Sequence, residues 1–176
     1  MRSALVTADP YHRTMGLGHD DRWPAAGRAL LAELFAARRP ALISGLRPAA
    51  EALAQRLSVD LDLPTVALGA TLAVRSDQPT GKDIELALDD ATVLTRLDTV
   101  LWPDLGIDLL ALLHQRARIM PIIAVWPGDI ARGRATYSEP GRPDHFDRRV
   151  ADLIVLRPAR TTFPDDTPYT VERIAA

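Results

Sequence analysis

Ala41-Leu-Ile-Ser-Gly45, followed directly by Leu-Arg-Pro-Ala-Ala-Glu-Ala52, is the stretch that decides the fold. Its first five residues form a short apolar run that ends in glycine, which is typical of a β-strand buried on both faces. Pro48 can occupy the first turn of a helix, and Leu53 and Leu57 then recur four residues apart. The stretch therefore predicts a strand, a tight turn and a helix.

Similar apolar runs recur along the chain and alternate with helical patterns of about ten residues. Further strands are predicted at residues 65–69, 99–102, 120–126 and 153–156, with an edge strand at 169–174. Further helices are predicted before Pro40, around residues 83–94 and around residues 109–113. This alternation predicts an α/β fold, a three-layer sandwich with a mostly parallel central sheet of about five strands and helices on both sides.

Length and composition limit the class of protein. The chain has 176 residues, of which 47% are hydrophobic, so it predicts one domain at residues 20–176 after a loosely ordered leader at 1–19. Cysteine is absent, which excludes disulfides and thiolate zinc sites, and the formal charge of −2 provides no global basic field. No apolar run reaches the roughly 20 residues of a membrane helix. We expect a cytoplasmic protein without a membrane partner.

The segment that starts at Gly45 falls where a phosphate-binding loop of the pattern G-x-x-x-x-G-K-[ST] would follow a strand. Ala50 stands in place of the second glycine, Glu51 in place of the lysine and Ala52 in place of the hydroxyl residue. In such a loop, backbone N–H groups and the lysine hold phosphate oxygens while the hydroxyl binds magnesium. A carboxylate at the lysine position would repel a triphosphate. Alternatively, the chain never had a phosphate loop, and the glycine only turns a strand into a helix.

Two further landmarks of ATPase cores also differ. The predicted strand Thr99-Val-Leu-Trp102 is followed by Pro103-Asp104, and proline cannot coordinate magnesium. The strand at 120–126 ends in Trp126-Pro127-Gly128, which offers no polar side chain to a γ-phosphate. These patterns predict no catalytic residue, no bound metal and no cofactor. The degenerate nucleotide-site positions are Gly45, Arg47, Pro48, Ala50, Glu51, Ala52, Pro103 and Asp104.

The alternative is an active enzyme with a variant phosphate loop. Arg47 would then supply the charge of the missing lysine, and ATP and Mg would be the cofactors.

Residues 122–146, which contain Thr136-Tyr-Ser-Glu-Pro-Gly-Arg-Pro143, form the most distinctive stretch of the chain. The stretch resembles BrxF, the small P-loop protein of type 3 BREX phage-defence systems, in which a similar segment precedes a closing apolar strand. The resemblance implies a P-loop NTPase (ASCE) core that serves a multi-subunit, DNA-surveying defence complex. Because the chain departs from this family in its nucleotide motifs, we expect a pseudo-ATPase that acts through protein–protein interaction as an accessory subunit.

Residues 127–149 are predicted to be one long irregular segment, and a loop of this length in a compact domain usually has a function. Its prolines and glycines restrict its freedom before a partner binds. The candidate partner-binding residues are Tyr137, Glu139, Arg142, His145 and Phe146. Alternatively, the two aromatic side chains pack the loop onto its own domain.

Arginines are frequent in and around the same segment. They predict a weak DNA contact through Arg132, Arg134, Arg148 and Arg149. Because acidic residues are interleaved with them, a solvated surface of mixed charge is the alternative. A homo-oligomer, in which the chain is a self-assembling structural protein, is a further alternative.

Overall fold

Nine strands and five α-helices make up the fold in the computed structural model, which describes residues 22–75, 79–89, 91–158 and 169–175. The strands are β1 (Ala41–Ile43), β2 (Thr65–Ala67), β3 (Val93–Thr95), β4 (Ile123–Val125), β5 (Asp129–Ala131), β6 (Arg134–Tyr137), β7 (Phe146–Arg149), β8 (Leu153–Pro158) and β9 (Tyr169–Ile174). The helices are α1 (Arg22–Ala37), α2 (Arg47–Leu61), α3 (Leu68–Arg75), α4 (Gly81–Ala87) and α5 (Leu109–Ala117). Two 3-10 helices, Leu97–Leu101 and Pro103–Leu105, precede α5.

Six of these strands form the central sheet in the order β2-β3-β4-β1-β8-β9. The first five strands in this order run parallel to their neighbours, and β9 pairs antiparallel with β8 as an edge strand. The prediction of an α/β fold with a mostly parallel sheet is confirmed, with six strands in the sheet where about five were expected.

Alternate side chains of the strands enter two separate cores, as the period of a strand requires. Ile43 and Ile123 pack with buried leucines of α1 and α2 on one face of the sheet. Leu42 and Ala124 pack on the other face with buried residues of α3, α4 and α5. The sheet is therefore covered by helices on both faces, which explains why its strands read as continuous apolar runs.

The strand predicted at residues 99–102 was wrong. These residues belong mostly to the first 3-10 helix, and the third parallel strand is Val93–Thr95, which overlaps the end of the segment predicted as helical. Leu97 and Val100 are both buried, because positions three apart lie on one side of a 3-10 helix. Thr92, Val93 and Thr95 are β-branched and favour the strand.

The irregular segment predicted at residues 127–149 was also wrong, since about half of its residues form the strands of a second sheet. β5, β6 and β7 form an antiparallel meander of three strands, here called the small sheet. The predicted leader at 1–19 lies outside the described residues. Within the residues that are described, no helix combines the length and apolar character needed to cross a bilayer.

Candidate functional site

The turn between β1 and α2 contains only Ser44, Gly45 and Leu46. α2 begins at Arg47, with Pro48 in its first turn. A phosphate-binding loop needs a non-helical stretch between its two glycine positions, so that several backbone N–H groups can point at one anion. In this chain residues 46–49 lie between the two glycine positions, and all of them except the first belong to α2. The chain therefore has no segment at this turn that could wrap around a phosphate group.

The three positions that differ from the phosphate-loop pattern lie inside α2. Ala50 is buried in the core between α2 and the sheet. Glu51 lies one full turn into the helix, and its Oε1 atom accepts a hydrogen bond of 3.0 Å from Nε of Arg47. This i, i+4 pair runs along the helix surface. Glu51 therefore interacts with a cation of its own helix at the start of α2.

Arg47 is the centre of a small charged cluster at the carboxyl edge of the sheet. Its Nη2 atom lies 3.6 Å from Oδ2 of Asp98, in the 3-10 helix that follows β3. The hydrogen bond to Glu51, and then the charges of Asp98 and Glu51, raise the pKa of Arg47 above its ordinary value. Oδ1 of Asp98 is buried and has no hydrogen-bond partner among the described residues. We refer to Arg47, Glu51 and Asp98 as the mouth cluster.

Asp98 was not among the predicted site residues, because the third strand was predicted at residues 99–102 and lies at residues 93–95. With β3 at Val93–Thr95, the acidic residue that follows the strand closely is Asp98, three residues after its end. Pro103 and Asp104 lie in the second 3-10 helix and are exposed. They do not follow a strand, so their comparison with a metal-binding position has no structural basis. Residues 92–95 and 99–102 both begin with Thr-Val-Leu, so no local sequence signal could have located Asp98.

Trp126 and Gly128 join the small sheet to the end of β4. The indole Nε1–H of Trp126 donates a hydrogen bond of 3.0 Å to the backbone oxygen of Thr136 in β6. Gly128 lies so close to β6 that a Cβ atom at this position would be 1.9 Å from the same oxygen. The apolar end of β4 thus has a structural role, because it holds β6 against the sheet.

The end of β1 and the end of β8 bind the small sheet as well. Ser44 is buried, and its Oγ atom accepts a hydrogen bond of 3.1 Å from the backbone N–H of Ile130 in β5. On β8, Arg157 donates a hydrogen bond to the backbone oxygen of Ile130 and lies 3.0 Å from Glu172 of β9. The small sheet is therefore attached to the carboxyl ends of three adjacent strands, where ligands of open α/β sheets usually bind.

The loop between β6 and β7, residues 138–145, is organised by a buried carboxylate. Oδ1 of Asp144 accepts hydrogen bonds from Oγ of Ser138 at 2.8 Å and from Nε of Arg142 at 3.3 Å. The hydroxyl of Ser138, with the nearby Arg142 guanidinium, holds the pKa of Asp144 below its ordinary value. Ser138 and Gly141 adopt positive φ angles of 60° and 90°. The loop thus has a defined conformation that depends on contacts within itself.

The five predicted partner-binding residues divide into two groups. Phe146 packs against Trp126 with ring centroids 5.2 Å apart, and it pairs in register with Tyr137 across β6 and β7. Burial, followed by the charges of Asp98 and Asp144, raises the pKa of Tyr137 above its ordinary value. Both aromatic side chains are half-buried, as expected if they pack on their own domain. The other three residues, Glu139, Arg142 and His145, are exposed on the loop.

The four arginines predicted to contact DNA are likewise separated. Arg134 in β6 and Arg149 in β7 are directly paired across the small sheet, and Arg132 lies in the turn that precedes β6. Arg148 points to the opposite face, because side chains alternate along a strand. Its Nη1 atom lies 2.8 Å from Oδ2 of Asp108, and its guanidinium carbon lies 5.4 Å from the centre of the Phe146 ring.

Among the described residues, no group of three or more histidine or acidic side chains is placed to hold a metal ion. Comparison of the chain with protein-family models, with curated proteins and with solved structures gave no match.

Proposed function

We propose that this chain is a catalytically silent scaffold of the P-loop type, which acts through protein contacts as an accessory subunit of an antiphage defence complex of the BREX type. The observation that carries the proposal is the turn of three residues between β1 and α2, with Arg47 paired to Glu51 and Asp98 directly beside it. Among the described residues, the turn beside this edge of the sheet forms no phosphate cradle, and its arginine, Arg47, is paired with two carboxylates.

The order of the strands supports the P-loop comparison. Numbered along the chain, the five parallel strands lie in the order 2-3-4-1-5. This order differs from the 3-2-1-4-5-6 of dinucleotide-binding folds and from the 2-1-3-4-5 of flavodoxin-like folds. In the ASCE class that the resemblance implies, one additional strand separates the strand of the phosphate loop from the strand of the metal carboxylate. β4 lies between β1 and β3 in this way.

The mouth cluster supports the absence of nucleotide chemistry. One guanidinium and two carboxylates leave a net charge of −1 where the phosphates of ATP would have to be neutralised. The pairs are partly exposed, so each contributes at most about 1 kcal/mol to stability. Their effect on a triphosphate is larger, because Arg47 would have to leave both partners and the carboxylates would then repel the phosphates. In this arrangement the cluster offers no free cation to the phosphates of ATP.

An active ATPase with a variant loop remains the second candidate, because Arg47 is the first residue of α2. A cation at that position is close to where anions bind at helix N-termini. This candidate requires Arg47 to exchange its two carboxylate partners for phosphate.

The loop at 138–145 supports action through protein contacts. Its conformation is fixed by Asp144, so little conformational entropy would be lost when a partner binds. Glu139, Arg142 and His145 are exposed at its surface, and arginine is enriched among residues that dominate interfaces. We therefore assign partner binding to these exposed residues, and a packing role to Tyr137 and Phe146.

Co-expression with the products of the neighbouring genes tests this function. We expect the tagged wild-type chain to co-purify with at least one of them. The double substitution Glu139→Ala and Arg142→Ala should reduce the retained partner at least about tenfold, which corresponds to about 1.4 kcal/mol. Arg118→Ala removes an exposed charge at the end of α5 and should leave retention unchanged. Equal retention by the double variant and the wild type would contradict the assignment of this loop.

A further inference from the structure

The turn of the β5–β6 hairpin contains only two residues, which is the commonest short connection in β-hairpins. Ala131 pairs with Arg134, so only Arg132 and Gly133 form the connection. Their φ angles are 52° and 69°, and a type I′ turn requires positive φ at both positions. Asn-Gly is the most favoured sequence for such a turn. An arginine at the first position is therefore not explained by the needs of the backbone.

Charges on the outer face of the small sheet are arranged in two rows. The row nearest the turn contains Ala131, Arg134 and Arg149 side by side, with Arg132 next to it in the turn. The row behind it contains Asp129, Thr136 and Asp147, about 7 Å further along the strands. All three arginines of this end of the small sheet are exposed. We call Arg132, Arg134 and Arg149 the arginine row.

The arginine row is unfavourable for the protein by itself. Like charges placed directly opposite each other on adjacent strands destabilise a sheet, and Arg134 and Arg149 are such a pair. The carboxylate of Asp147 offsets the charge of only one of these two arginines, because its Oδ1 atom lies 2.8 Å from Nη2 of Arg134. Arg132 and Arg149 have no acidic partner within the described part of the chain. An anionic partner would remove this repulsion.

We propose that the arginine row binds the phosphate backbone of double-stranded DNA without reading its sequence. Neighbouring strands are about 4.8 Å apart, so the backbone positions of the three exposed arginines lie within about 10 Å of one another at this end of the small sheet. Duplex DNA carries one negative charge per roughly 1.7 Å of its axis and can contact all three together. Arg148 lies outside this surface, because it faces the opposite side and binds Asp108. The inference concerns a different surface from the loop at 138–145 and does not depend on the proposed function.

Fluorescence anisotropy of a labelled duplex of about 20 base pairs, titrated with the full chain between about 50 and 200 mM NaCl, tests this inference. Three phosphate contacts give a slope of log K against log salt of about −2.7, so the wild-type affinity should fall about 40-fold across this range. Arg132→Asn and Arg149→Gln should each change the slope to about −1.8, and the double variant should show about −0.9. The asparagine variant also keeps the turn well formed, since Asn-Gly suits it.

Arg148→Gln is the matched control, because it removes the same charge from the same strand on the other face. Arg118→Gln, at the end of α5, is a second control that leaves the small sheet intact. Both should keep the wild-type slope. Absence of duplex binding at about 50 mM NaCl, a slope unchanged in the double variant, or an equal loss in both controls would each overturn the inference.

Discussion

Replacing Gly128 by alanine is expected to lower the free energy of unfolding by about 3 kcal/mol. The reason is steric, because the added Cβ would be 1.9 Å from the backbone oxygen of Thr136 and 2.8 Å from its carbonyl carbon. These atoms belong to β6, whose backbone is held in the middle of the small sheet, so they cannot rotate away as the end of a flexible side chain could. The small sheet must move away from β4 to accommodate the methyl group. Urea unfolding followed by circular dichroism measures the change.

Gly81→Ala is the matched control for this substitution. Gly81 is the first residue of α4, and nothing lies within 4 Å of a Cβ atom placed there. Alanine at this position should leave stability unchanged or raise it by up to about 1 kcal/mol, because it reduces the entropy of the unfolded chain. If Gly128→Ala were as stable as the control, the close packing of β4 against β6 would be wrong.

Replacing Trp126 by alanine is expected to lower the free energy of unfolding by about 4 kcal/mol. Trp126 is only 1% exposed and is among the largest fully buried side chains of the core. Its ring packs against Phe146, and its indole N–H donates to the backbone oxygen of Thr136. The substitution therefore removes a core side chain and the hydrogen bond that attaches β6. In a domain whose total stability is about 5–15 kcal/mol, this loss would remove a large fraction of it.

Trp126→Phe separates the two contributions of this side chain. Phenylalanine retains much of the apolar contact but cannot donate a hydrogen bond to Thr136, so we expect a loss of about 1–2 kcal/mol. The unfolding midpoints in urea of both variants and the wild type give the comparison. Equal losses for the phenylalanine and alanine variants would contradict a packing role for the ring, and no loss for either would contradict the buried placement of Trp126.

Most of the fold could be predicted because strands that are buried on both faces appear in the sequence as short, continuous apolar runs. β1, β4 and β8 all have this pattern, and proline or glycine punctuation locates their ends. β3 could not be located in this way, because the 3-10 helix that follows it contains an apolar run of similar length. Residues 92–95 and 99–102 both begin with Thr-Val-Leu, so β-propensity does not distinguish the two segments either.

The small sheet was not predicted because its strands are short and largely exposed. β5, β6 and β7 have few apolar residues facing the core, so a period of two is hard to detect in residues 129–149. The turn at Arg132-Gly133 is a local signal for a hairpin, since glycine there allows a positive φ angle.

The candidate site could be predicted only in part. The residues Ala50, Glu51 and Ala52 predicted that this turn is not a working phosphate loop, but they did not show that these residues lie within a helix. The pairing of Arg47 with Asp98 joins residues that are 51 positions apart in the chain, and no sequence period reports such a contact. Two of the predicted partner-binding residues, Tyr137 and Phe146, are half-buried. Their side chains lie on the face of the small sheet that packs against the rest of the domain.

The central claim is that the edge of the sheet beside Arg47 does not bind nucleotide, and isothermal titration calorimetry of the full chain with ATP and Mg tests it most directly. We expect a dissociation constant weaker than about 1 mM for the wild-type chain, and no further change in Arg47→Ala. A dissociation constant of about 1 μM that is lost in Arg47→Ala would contradict the account and establish the variant ATPase in its place.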